Sequence, residues 1–406
     1  MKRENVNGNN GAGAARGIVG DAKMMGALLR ELRGREAEMV RMLGKFARCE
    51  SPSHDKAAVD AFGRMVAAEW RKRGAKVRVL RQKKAGDHLR VEISPAGGRR
   101  GAGGQILILG HFDTVYPRGT LAKMPFRVAH GRGFGPGTFD MKAGLVLALF
   151  AVDALCAAGL RAGKKLVFLW TSDEEVGSVT SRCEIEREAR RSDAVLVLEP
   201  SLGSRGALKT ARKGVGTAEI IVRGRAAHAG IDPAAGVNAV HELALQIVRL
   251  MKLNDPTRGI TVQVTVIGGG SASNVVPESA RAEVDIRHMR LADGRGIERA
   301  LRRLRPILKG ARIEVRGGLN RPPLERSAGV QRLFAHAQSL MRAGGLQLDE
   351  ASTGGGSDGN FTAALGVPTL DGLGAVGDGA HSAHEHVLIR ALPERAALIA
   401  GLLASL

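Results

Sequence analysis

Aromatic side chains are scarce in this chain, at 3% of 406 residues, with two tryptophans and one tyrosine. Proteins that hold single-stranded nucleic acid stack bases on such rings. Their scarcity counts against that class despite a formal net charge of +21. The 61 Lys and Arg residues are spread along the whole sequence rather than gathered in one stripe. We read them as a generally basic surface that favours anionic small substrates, with no nucleic-acid partner. Cysteine is nearly lacking: Cys49, Cys156 and Cys183 are odd in number and not at metal-ligand spacing. That argues against a disulfide framework or a thiolate metal site, and they read as buried small hydrophobes. No run approaches the roughly 18–20 apolar residues of a membrane span, so no membrane partner is expected. Residues 1–21 are rich in Gly, Asn and Arg and lack the apolar stretch of a signal peptide. They read as a disordered leader, with a cytoplasmic location as the default.

What is present is ordinary globular material: 44% apolar and 25% charged residues, in a length that suits two domains. Gln105–Leu109, Lys165–Trp170 and Ala194–Leu198 are short, nearly continuous apolar runs. Strands buried on both faces read this way. Helical stretches at Met141–Ala158 and Ser178–Arg191 lie among them, and Met24–Phe46 and Ala57–Trp70 precede them. The alternation predicts an α/β fold with a doubly wound mixed sheet. From Val215 the pattern changes to strand, helix Gly236–Met251, strands Ile260–Ile267 and Ala280–Arg287, helix Gly294–Leu308 and strand Arg312–Val315. This βαββαβ order predicts a smaller α+β, ferredoxin-like module. The expected division is 22–210 and 318–406 for the main domain, with 211–317 inserted.

Acidic residues follow the buried strands. Gln105–Leu109 runs into Gly110-His111-Phe112-Asp113, Lys165–Trp170 into Thr171-Ser172-Asp173-Glu174-Glu175, and Ala194–Leu198 into Glu199. Asp140 stands just before a helix. In open α/β sheets the site forms at the carboxyl ends of the strands. One acid after a strand is usually a cap or a solvated turn, but several at one sheet edge repel strongly unless cations neutralise them. Imidazole with carboxylates and no thiolate suits zinc, with cobalt or manganese as substitutes. The tail Gly379-Ala380-His381-Ser382-Ala383-His384-Glu385-His386 supplies more imidazole. Two histidines and a shared carboxylate would make a co-catalytic pair of metals.

These segments, with Gly137-Thr138-Phe139-Asp140-Met141-Lys142-Ala143-Gly144, resemble the signatures of the co-catalytic zinc family of glutamate carboxypeptidase, acetylornithine deacetylase, succinyl-diaminopimelate desuccinylase and the aminoacylases. The glutamate carboxypeptidase branch looks most similar. The resemblance implies two Zn2+ per subunit, with Asp140 bridging. His111 and Glu199 would each complete one zinc, Glu175 would join the partners of the His111 motif, and His381 would give the last imidazole. Glu174 would be the general base, and Asp113 would fix the tautomer of His111. The Asp140–Met141 peptide would be cis.

The inserted module carries Gly224-Arg225-Ala226-Ala227-His228-Ala229-Gly230, Ser273-Asn274-Val275-Val276-Pro277 and Asp285-Ile286-Arg287. In the family the matching His reaches into the partner subunit's site, which implies a homodimer joined through this dimerisation or lid domain. Asn274 and Arg287 would contact substrate. Arg321 and the Gly354–Gly356 loop, Gly356 included, would hold its terminal carboxylate. The blander readings are an exposed loop imidazole for His228 and surface cations for Arg287 and Arg321. His384 and His386 read as solvated loop residues, and Gly131-Arg132-Gly133-Phe134-Gly135 as a turn rather than a nucleotide loop. The expected activity is a di-zinc exopeptidase acting on a small peptide beside a free carboxylate. The alternatives are an N-acyl-amino-acid deacylase and a non-catalytic binding relative.

Overall fold

The computed structural model describes residues 10–95 and 104–406, with side chains from residue 20. It has two compact units: residues up to Thr210 with Arg326–Ala351 and Leu365–Leu406, and Ala211–Glu325 with Ser352–Ala364.

The first unit is built on a six-stranded mixed sheet. Its order is Lys76–Leu80, His88–Ile93, Lys165–Thr171, Gln105–His111, Ala194–Val197, Thr369–Leu370. The last four strands run parallel and the first two are antiparallel. The two central apolar runs are strands buried on both faces, as such runs require. Helix Ala143–Ala157 is apolar and buried on nearly every side, Asp153 and the exposed C-terminal turn excepted, and it packs on the C-terminal helix Leu392–Ser405. The sequence reading missed the antiparallel pair, whose short strands alternate polar and apolar residues and lack the continuous apolar run of the central ones.

Three expectations are corrected here. The leader is helical from Asn10, and one helix, Asn10–Gly34, takes in its second half. Met25, Leu28, Leu29 and Leu32 anchor that helix in the core, and once a packed turn exists each added residue extends it at little cost. Residues 1–9 of the leader lie outside the described residues. The stretch Met24–Phe46 is two helices, broken at Arg35, whose backbone leaves helical values after Gly34. Cys156 and Cys183 are exposed and Cys49 is partly covered, because all three sit near helix ends rather than on core faces.

The second unit is a four-stranded antiparallel sheet in the order Thr261–Gly269, Ser279–His288, Gly214–Arg223, Arg312–Arg321. Strand Ser279–His288 alternates buried and exposed, turning Ala280, Ala282, Val284 and Ile286 to the core. Helices Ala239–Met251 and Leu291–Arg302 contribute Leu243, Leu250, Ile297 and Leu301 to the same core. The strand order with βαββαβ connectivity is the ferredoxin-like one. The unit does not stop at residue 317: strand Arg312–Arg321 stays paired with Gly214–Arg223 to its end. It also includes Ser352–Ala364, which Asn360 ties to the Lys213 and Pro322 carbonyls at 3.0 and 2.7 Å.

Leu398 is fully buried in the C-terminal helix. Leu398→Ala should cost about 2–5 kcal/mol of unfolding free energy, from lost transfer plus a residual cavity. A denaturant midpoint shift at constant slope measures it, and an unchanged midpoint would mean the helix does not carry the core.

Candidate metal centre

The sheet order sets the site. His111 ends the Gln105–His111 strand, which lies between the strands leading to Glu175 and to Glu199. Asp140 comes from the kinked turn Thr138–Lys142, whose Asp140–Met141 peptide is cis as the resemblance implied. His381 comes from the loop before strand His386–Leu388.

Two groups of ligand-type atoms result. One is His111, Asp140 and Glu199, the other Asp140, Glu175 and His381, each with its atoms within 4.8 Å of one another. His111 Nε2 lies 3.2 Å from Asp140 Oδ1 and 3.5 Å from Glu199 Oε1. His381 Nε2 lies 3.3 Å from Asp140 Oδ2 and 3.2 Å from Glu175 Oε2. Asp140 therefore gives one oxygen to each group. The grouping corrects the expectation that His111 and Glu199 serve different metals and that Glu175 joins His111. Strand order alone does not decide the grouping, since Lys165–Thr171 and Ala194–Val197 both pair with the His111 strand; the side chains do, Glu199 lying beside His111 Nε2 and Glu175 beside His381 Nε2. Glu175 lies on the other flank, where His381 meets it.

The electrostatics fit cation binding. Burial opposes charge on Asp140, but hydrogen bonds with His111 and His381 outweigh it, and its carboxyl sits far below the usual range. Burial also works against charge on His111, but Asp113, Asp140 and Glu199 lift its imidazole well above the ordinary value. The Asp140 and Glu175 carboxylates push His381 up to about 10. Burial, helped by the charge of Asp140, raises Glu175. A carboxylate cluster of this kind takes up positive charge, on imidazole if nothing else offers it. Glu175 Oε1 is buried without a hydrogen-bond partner, and the donor set is two imidazoles with three carboxylates. These residues fit a pair of divalent ions with mixed N/O ligands.

Buried acids hold the ligands in place. Asp113, wholly buried, accepts from Ser53 Oγ at 2.7 Å and from the Glu174 and Glu175 N–H groups at 3.3 and 3.2 Å. The Nδ1 of His111 lies 3.1 Å from the Asp113 carbonyl and 3.4 Å from its carboxylate. Glu385 accepts from Gly137 N, Phe139 N, Asp140 N and Tyr116 Oη. Burial pushes its carboxyl up to about 7, against the hydrogen bond from Tyr116. Gly137 meets it from the left-handed region at φ 70°, which favours glycine. The sequence reading gave Glu385 no role beyond its place in the tail motif and missed Tyr116. The four-residue spacing from His381 was the one signal for Glu385. His384 is exposed as expected, but His386 is buried against Phe134 in a strand and is not a solvated loop residue.

The remaining predicted residues all lie in the second unit. His228 is exposed, and its Nδ1 accepts from the Gly230 and Ile231 N–H groups. Its loop is bridged to that of Asn274, also exposed. Arg287 is held by Asp285 through Nε and Nη2 at 2.9 and 2.8 Å. Arg321 is only 5% exposed, pairs with Asp358 at 2.7 Å and lies over the Phe361 ring. It is not a surface cation. Gly356 packs against Val215 and Arg321, with its carbonyl held by Arg212.

The pattern that describes peptidase family M20/M25/M40 matches residues 107–405. The chain belongs to this family. As an M20 protein it is a metal-dependent peptidase or amidohydrolase. It is 33% identical over 373 residues to carboxypeptidase G2 of a Pseudomonas species (strain RS-16), covering 91% of this chain and 89% of that one. It is 29% identical over 328 residues to succinyl-diaminopimelate desuccinylase of Dechloromonas aromatica, covering 76% and 85%. Aminopeptidase PepT from Bacillus cereus has the same fold at TM-score 0.74 and 20% identity, covering 91% and 98%. Among the described residues no helix is long and apolar enough to cross a membrane.

The Glu385 brace predicts a defect in metal binding for this M20 protein. Glu385→Ala should weaken it by about 10–100-fold, because Asp140 loses its positioning. Chelator competition measures this. Affinity equal to the parent protein's would remove Glu385 from the support of the site.

Proposed function

We propose that this M20 enzyme holds two zinc ions and releases a C-terminal amino acid, glutamate by preference, from a small peptide. The single observation that carries the proposal is the pair of ligand groups joined by Asp140. His111, Asp140 and Glu199 would hold one ion, and Asp140, Glu175 and His381 the other, with cobalt or manganese able to substitute. Bound there, the ions would polarise an amide carbonyl and make a neighbouring water more acidic. Glu174 takes the proton from that water and passes it to the leaving amine. Asp113 supports this step, because it grips the Glu174 and Glu175 amides and stands beside His111.

The inserted unit supplies the grip on substrate in this reading. The Nδ1 of His228 accepts two N–H groups, so a neutral ring carries its proton on Nε2 and can donate to a carbonyl. Arg287 and Arg321, with Asn274 and the Gly356 loop, hold the carboxylate. Asp285 and Asp358 fix the direction of the two five-donor forks. The support for a homodimer is the edge strand Thr261–Gly269, which exposes Val266 and Ile267, and the helix that exposes Val248 and Met251. An apolar sheet edge is a template for pairing. Through that pairing His228 would serve the neighbouring subunit's site. The likeness to a succinyl-diaminopimelate desuccinylase favours a second reading, an N-acyl-amino-acid deacylase using the same centre.

Three experiments test the proposal. Glu174→Ala should retain both ions yet lose roughly 10²–10⁴-fold or more in kcat, whereas Glu175→Ala should lose one ion. The reverse pattern would overturn the assignment of these neighbours. Amidating the carboxylate beside the scissile bond should lower kcat/KM by on the order of 10³-fold. Equal turnover of amide and acid would leave an amidase without the pocket. For the dimer, inactive Glu174→Ala and His228→Ala subunits should regain activity on mixing. No rescue after demonstrated subunit exchange would contradict a shared site.

A further inference from the structure

We infer that His88, which belongs to none of the sequence motifs above, is a positioning residue for Glu174. Its imidazole ties together the two ends of the Ser172–Thr180 segment. The inference rests on the reading of Glu174 as the general base. His88 opens the strand His88–Ile93 and is wholly buried. Its Nδ1 accepts from the Ser172 N–H at 3.2 Å, and its Nε2 lies 3.0 Å from Thr180 Oγ1. Ser172 and Thr180 flank the short turn that carries Glu174 and Glu175.

The directions of these bonds follow from counting hydrogens. Thr180 Oγ1 donates its one hydrogen to Asp173 Oδ2 at 2.8 Å, so it accepts from His88. Ser172 Oγ donates to the Gly86 carbonyl, so its hydrogen is also spent. His88 is therefore a neutral ring with the proton on Nε2 and the acceptor on Nδ1. Asp173 Oδ2 also accepts from the Thr180 and Ser181 N–H groups at 2.6 and 3.3 Å. The chain from His88 through Thr180 to Asp173 thus returns into the segment that it holds. A row of Ser, His and Asp invites comparison with an acyl-transfer triad. Here Ser172, His88 and Asp173 are at most 1% exposed, so no substrate reaches them. Their work is on the backbone.

The other side of His88 is anchored just as firmly. Asp87 accepts from Lys56 Nζ at 2.7 Å and from the Gln82 N–H at 2.9 Å, and its own N–H donates to Asp60 at 2.7 Å. Lys56 and Asp60 open the helix Lys56–Lys72, so the imidazole is fixed to a rigid element. Asp113 grips the Glu174 and Glu175 amides independently of it. Cutting the His88 ties leaves the turn held at Asp113 while its ends are loosened. A displacement of about 1 Å of a catalytic group can cost on the order of 10²-fold.

The test uses the full zinc-loaded chain and a dipeptide ending in glutamate. His88→Leu fills the space without a hydrogen bond and should lower kcat by about 10–100-fold, with KM within about threefold. His88→Gln places an amide N–H where Nε2 stood and should recover most of that loss. Thr180→Val, at a half-buried position, removes the same bond with less risk to folding and should resemble His88→Leu. The double variant should then be little worse than either single one. Parent-like kcat in His88→Leu, equal losses in the Leu and Gln variants, or additive losses in the double variant would overturn the positioning role. Hydrogen exchange of the 172–181 amides gives a readout without turnover. It should quicken about tenfold or more in His88→Leu and Thr180→Val and stay near the parent's in His88→Gln. If the parent chain hydrolyses no such peptide, the proposed function fails, and exchange alone decides. Faster exchange that Gln restores would still support the tie, and unchanged exchange in His88→Leu and Thr180→Val would end it.

Discussion

Asp140 stands between two imidazoles and within reach of two further carboxylates, and the rest of the site is arranged around that crowding. Two like charges about 4 Å apart cost about 4 kcal/mol at the effective dielectric of a protein surface. A sheet edge that gathers Asp140, Glu175 and Glu199 is therefore stable only with positive charge among them. Histidine protonation can supply some. A pair of divalent ions supplies more and leaves the imidazoles as neutral ligands. The buried acceptor on Glu175 that lacks a hydrogen-bond partner is what a ligand oxygen looks like when only protein atoms surround it.

Positioning this charge requires a second set of buried acids. Asp113 fixes the turn that carries Glu174 and Glu175 and stands beside His111. Glu385 closes the loop around Asp140 with three backbone amides and the Tyr116 hydroxyl. Each satisfies groups that would otherwise be buried and unpaired, at a cost of about 1–3 kcal/mol apiece. The fold thus spends buried polar contacts on holding ligands rather than on packing. That division explains why the sheet's apolar residues end where its acids begin.

Four of the five ligands were legible in sequence because each follows a strand of the main sheet or precedes a helix, positions that an α/β sheet brings to one edge, whereas His381, on a loop of another sheet, was picked out through the resemblance. Their grouping was not legible. It depends on where the loop before His386–Leu388 places His381, beside Asp140 and Glu175, and that loop joins strands of a different sheet from the His111 strand. The strands Lys76–Leu80 and His88–Ile93 were missed although they alternate polar and apolar residues; at five and six residues they are short and lack the continuous apolar run of the central strands. The end of the inserted unit was placed too early because Gly317 and Gly318 look like a terminator. In the structure they continue a strand paired to Arg321. Arg321 itself looked like a surface cation or a free anchor, and only the fold reveals Asp358 beside it.

The central claim is that Asp140 joins two metal sites, each completed by one histidine and one glutamate. Its most direct test is metal stoichiometry in chelator-stripped protein, measured by titration with zinc. The parent chain should take up two tightly bound ions. Glu199→Ala and Glu175→Ala should each keep one, and Asp140→Ala should keep neither. One ion in the parent chain, or two retained by Asp140→Ala, would contradict the shared carboxylate and the mechanism built on it.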